Sequence, residues 1–159
     1  MVKFHFYKGK SIISKIIKWK TGGNYSHVSI EIDGTVYEAW EKNGVIKSND
    51  PLAYHTPGTP INTLQVEMKK EKLEEFKLFL IEQLGKKYDW KAILFGFVKN
   101  KKIEDKNRWF CSELADMFFT FQLGTSYNLP KKLVSPQLFF EKLDMYNTTL
   151  KMQEKKELI

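Results

Sequence analysis

His27-Val28-Ser29-Ile30-Glu31-Ile32-Asp33-Gly34-Thr35-Val36-Tyr37-Glu38-Ala39-Trp40 reads as two strands joined by an Asp-Gly turn. Apolar residues alternate on both sides, and Asp-Gly supplies the positive-φ positions that a tight hairpin between twisted strands needs. With a two-residue turn, Ile32 faces Thr35, Ile30 faces Tyr37, Ser29 faces Glu38 and His27 faces Trp40. The side chains then divide. Val28, Ile30, Ile32, Tyr37 and Ala39 form an apolar face, while His27, Ser29, Glu31, Glu38 and Trp40 share the other. On that second face Glu38 is the diagonal neighbour of His27, at a Cα separation of roughly 7 to 8 Å that long side chains bridge. Glu31 lies farther toward the turn and ranks second as a partner for the imidazole, an order that a one-residue bulge would undo.

Working outward, Val2, Phe4 and Phe6 alternate with polar neighbours and predict a strand over 2–7. Ser11 can cap a short basic helix that carries Ile12, Ile13, Ile16 and Ile17 and stops at Gly22-Gly23. Asn43-Gly44 opens a second turn into Val45 and Ile46, and Asp50-Pro51, Pro57-Gly58 and Pro60 mark a long loop of the kind that borders sites. Residues 61–68 read as a strand, and 70–84 as a helix with Leu73, Phe76, Leu80 and Leu84 on one face. A short helix is expected from Asp89 through Val98, a basic loop over 99–108, and a helix over 109–122 facing Phe110, Leu114, Phe118 and Phe121 inward. Ser135-Pro136 starts a last helix through Leu143. The expectation is one domain over 1–147 and a polar, frayed tail over 148–159.

The chain has 159 residues, the size of one domain, and 42% of them are hydrophobic, enough for a real core. The longest apolar run, Ala92 to Val98, falls short of the roughly 18 to 20 residues a bilayer span requires, and no signal peptide is evident. A cytoplasmic location, with an option of peripheral membrane contact, follows as an expectation. A net charge of +7 favours anionic partners. No Gly-rich phosphate loop occurs, and no zinc-finger or RNA-recognition pattern points to specific nucleic-acid binding. His5, His27 and His55 are scattered in the sequence and no HExxH or CxxC appears, so neither a metal nor another cofactor is expected.

The one cysteine, Cys111, has no disulfide partner in the chain and is either packing or a nucleophile. A free thiol with a pKa of about 8.5 is mostly protonated at neutral pH, and the first turn of a helix favours the thiolate through its unpaired N–H groups. The Cys111 amide could also donate to the oxyanion of an acyl intermediate. A carboxylate such as Glu38 would hold one nitrogen of His27 and turn the other toward the sulfur. Each residue also has a plain alternative: a packed thiol, a structural histidine, a solvated carboxylate.

Asn24-Tyr25-Ser26-His27-Val28-Ser29-Ile30, Val36-Tyr37-Glu38-Ala39, Lys87-Tyr88-Asp89 and Trp109-Phe110-Cys111-Ser112-Glu113-Leu114 together resemble, in this order, the motifs of circularly permuted NlpC-type papain-like cysteine hydrolases, the YiiX-like group. The His strand precedes the Cys helix, an order shared with the lecithin:retinol acyltransferase relatives. Ser135-Pro136 and the apolar helix after it resemble the group's C-terminal end, so the likeness spans 2–143.

The resemblance implies an α+β fold with an antiparallel sheet or open barrel packed against the Cys helix. It implies Cys111 as nucleophile, His27 as general base and then acid, and Glu38 as the residue orienting His27. Tyr25, Tyr88 and Trp109 would neighbour the pocket, as would Trp40 beside His27. The implied activity is cleavage of a peptide, a cell-wall amide or a lipid acyl ester through an acyl-enzyme, with acyl transfer on the same scaffold as an alternative. A non-catalytic module for an anionic membrane or partner is the alternative from a different class. The basic helix 11–20 could rest on an anionic bilayer, but its four isoleucines are expected to join the core.

Overall fold

The computed structural model describes residues 1–90, 107–124 and 134–157. Strand β1 (Val2–Tyr7) leads into helix α1 (Ile12–Thr21), followed by β2 (His27–Ile32), β3 (Thr35–Trp40), β4 (Gly44–Ser48) and β5 (Ile61–Val66). Helix α2 (Lys70–Gln83), two short strands β6 (Lys87–Tyr88) and β7 (Arg108–Trp109), helix α3 (Cys111–Leu123) and helix α4 (Pro136–Glu157) complete it. The fold is α+β. Five strands form one antiparallel sheet in the order β4-β3-β2-β1-β5, open rather than closed into a barrel.

The hairpin forms as its sequence demands. Asp33 (φ 50°) and Gly34 (φ 76°) both take positive φ, and the ladder pairs Ile32 with Thr35, Glu31 with Val36 and Ile30 with Tyr37. Because β1 pairs with β2 so that Phe4 meets Ile30 and Phe6 meets Val28, one face of the sheet is continuously apolar. Helix α3 covers it, with α2 and α4 packed against α3. Phe4 stands edge-on to Phe118 of α3 and to Phe139 of α4, at ring separations of 5.3 and 5.2 Å. All three rings are fully buried.

Three elements differ from their predicted bounds by two residues or more, and a fourth differs in what it buries. Trp109 belongs to β7, where it pairs with Tyr88, so α3 begins at Cys111 rather than 109. The last helix does not end near Leu143 but runs 22 residues through Glu157, since nothing in its polar half breaks a helix. The 61–68 strand ends at Val66. In α1 only Ile17 is buried and Ile13 half-buried, whereas Ile12 and Ile16 face solvent, because a helix resting on one edge buries one stripe. Residues 91–98 of the helix expected from Asp89, and residues 99–106 of the basic loop, lie outside the described residues.

Candidate active site

Two pieces of backbone carry the candidate triad to one place. The hairpin presents His27 and Glu38 on the sheet face opposite the aromatic core. The β6–β7 pair fixes the start of α3: the Asp89 amide donates to the Trp109 carbonyl at 3.0 Å, and Phe110 and Cys111 follow at once. β6 is in turn held to β4, where the Val45 amide donates to the Lys86 carbonyl at 2.8 Å and the Gly85 amide to the Val45 carbonyl at 2.9 Å. Cys111 is the first residue of α3, as expected, and the Glu113 carboxylate accepts from the Phe110 amide at 3.2 Å.

His27 Nε2 and Glu38 Oε2 are 2.8 Å apart, a buried contact. Burial alone would lower the His27 pKa. The charge and hydrogen bond of Cys111, with the hydrogen bond and charge of Glu38, outweigh it and raise the imidazole to about 10. For Glu38, burial works against the carboxylate, yet His27 and His55 hold its pKa down to about 2. With Nε2 engaged by Glu38, Nδ1 is the ring nitrogen left for the sulfur. Glu31 is turned to other partners, Lys3 at 2.7 Å and His5 at 2.8 Å, so the ranking of the two carboxylates holds.

His55, in the 49–60 loop, was not singled out by the sequence. Its ring stacks on Tyr7 at 3.8 Å and 6°, and its Nε2 lies 3.4 Å from Glu38 Oε2. That is ion-pair reach without an aligned hydrogen bond, and Nε2 remains unpartnered among the described residues, as does Glu38 Oε1. Burial lowers the His55 pKa first, and the facing His27 lowers it further against the pull of Glu38. Tyr7 anchors the arrangement: its hydroxyl donates to the Pro51 carbonyl at 2.7 Å and accepts from Ser29 at 2.8 Å. The only foretaste in the sequence was a Pro- and Gly-marked loop bordering a site.

The histidines are therefore not all scattered in space. Donor atoms of His27, Glu38 and His55 lie within 4.8 Å of one another and could hold a divalent cation. Such an ion would compete for the nitrogen and oxygen that now contact each other.

A cavity of about 420 Å³ opens beside the cluster, lined by His27, Trp40, His55 and Tyr88 and, across from them, by Ile13 and Ile17 of α1. Trp40 stands edge-on to both His27 and His55. Burial, and then the electrostatic influence of Cys111, push the Tyr88 hydroxyl well above its usual pKa. Two expected pocket neighbours are elsewhere. Tyr25 packs against Phe6 and Phe140 in the core, and the Trp109 indole N–H donates to Gln83 at 3.1 Å while its ring meets Phe79. Neither lines the cavity. Cys111 itself is 1% exposed and does not line it either.

No family model matches the sequence, and no curated protein shows a significant match to it.

Proposed function

We propose that the protein is a thiol-dependent hydrolase of amide or acyl-ester bonds that works through an acyl-enzyme. The observation that carries this is the buried His27 imidazole, held by Glu38 at 2.8 Å from Nε2 and close enough to Cys111 for the sulfur to be a leading cause of its raised pKa. A proton resting on His27 leaves the sulfur as the electron-rich partner. The Cys111 sulfur attacks the carbonyl carbon and a C–S bond forms. As the C–N or C–O bond breaks, His27 gives its proton to the departing nitrogen or oxygen. Water then attacks the thioester, His27 takes its proton, and the acid leaves as the sulfur is released. An alcohol or amine in place of water makes the same sequence an acyl transfer. Glu38 keeps the imidazole in one orientation throughout. The papain-like, permuted NlpC-type architecture belongs to the same proposal, supported by the order of the His strand and Cys helix.

The burial of Cys111 favours the second reading, a non-catalytic module, because a substrate must reach a sulfur that is 1% exposed. Iodoacetamide labelling followed by mass spectrometry separates the two. The hydrolase reading expects Cys111 in the folded protein to label at about pH 6, faster than in the urea-unfolded chain, and His27→Ala to abolish that advantage. A folded thiol that stays inert while the unfolded chain labels normally would sink it.

A further inference from the structure

We infer that the solvent-facing side of α1 is a docking surface for an anionic lipid bilayer. At 100° per residue Ile12, Ile16 and Trp19 share one helical face, and they are 77%, 38% and 81% exposed. Lys15, exposed, flanks that face, the arrangement in which apolar side chains enter the headgroup boundary while an ammonium group reaches lipid phosphate. The indole of Trp19 suits the same boundary, being apolar in body and polar at one edge. No acidic residue precedes Glu31, whereas Lys8, Lys10, Lys15, Lys18 and Lys20 crowd this end of the chain. That charge is complementary to anionic lipid and repels a second copy of the same face.

The opposite side of α1 ties the surface to the cavity. Ile13 and Ile17 line it together with His27, so a docked α1 sets the cavity beside the headgroup layer. Tyr54, 41% exposed, lines the same cavity from the 49–60 loop and adds a second amphipathic contact. The surface does not depend on the chemistry proposed for Cys111.

Co-sedimentation with phosphatidylcholine vesicles, with and without about 30% phosphatidylglycerol, tests it at about 50 mM and about 500 mM salt. The full chain is expected to pellet with the anionic vesicles, to be released by high salt, and to bind at least about tenfold more weakly as Ile12→Ser/Trp19→Ser. Lys15→Glu, which changes charge alone, should weaken binding in the same direction. Cys111→Ser should bind as the wild type does, so failure of the hydrolase reading leaves this result untouched. Equal pelleting of the double variant, equal binding to neutral vesicles, or no pelleting of the wild type overturns the inference. So does a dimer in size-exclusion chromatography that the double variant dissolves, since the occupant would then be a second copy.

Discussion

Glu38 is held between two imidazoles, and that is the most consequential contact at the scale of single residues. His27 takes Oε2 at 2.8 Å, and His55 approaches the same oxygen at 3.4 Å from a ring fixed flat on Tyr7. Such a position makes His55 a positioning residue, acting on the thiol only through Glu38 and His27. A charge contact of this kind is worth at most about 1 kcal/mol, so His55→Leu should slow Cys111 labelling below pH 7 by up to about fivefold. His55→Gln, which keeps an N–H on the same side, should recover most of that rate. A merely structural loss would lower stability in both variants without restoring the pH profile in one of them, and urea denaturation beside the labelling distinguishes the cases.

At the scale of elements, the site depends on a short seam joining β4 to β6. Gly44 sits at φ 74°, and a Cβ there would come within 2.1 Å of the Lys86 carbonyl oxygen. The same carbonyl accepts the Val45 amide, so yielding to a side chain would break the seam that positions Tyr88 and, through β7, Cys111. Gly44→Ala is expected to cost at least about 2 kcal/mol in urea unfolding, from left-handed strain and the backbone clash together. It should disturb Cys111 labelling more than a mutation of equal cost in the distant core. Phe76→Ala in α2, which removes a fully buried ring worth about 3 to 5 kcal/mol and so costs at least as much, is the comparison.

For the whole molecule, the buried His27–Glu38 pair ties stability to pH with opposite signs at its two ends. The His27 pKa rises from 6.5 to about 10 as Cys111 and Glu38 overcome burial, so its contribution is complete below about 6.5 and fades as pH climbs toward 10. Burial resists the Glu38 carboxylate, but the two histidines lower its pKa from 4.5 to about 2, so its contribution is complete above about 4.5 and fades as pH falls toward 2. The stability gap between wild type and His27→Gln should therefore narrow above pH 6.5, and that between wild type and Glu38→Gln should narrow below 4.5. Urea midpoints measured across pH check both slopes. None of the described helices is long and apolar enough to cross a membrane.

Local chemistry settled the hairpin, its register and the meeting of His27 with Glu38, because an Asp-Gly turn and a period of two leave one pairing that buries the apolar face. It also settled the start of α3 to within two residues and the pairing of Ser135 with Pro136 at the head of α4, since caps act over a few positions. The place of His55, the outward turn of Ile12 and Ile16, and the packing of Tyr25 and Trp109 away from the cavity were decided elsewhere. Which oxygen an imidazole in a loop approaches depends on how Pro51 is tied to Tyr7, 44 residues away. Which isoleucines of a short basic helix are buried depends on the neighbour it rests against, and periodicity is blind to both.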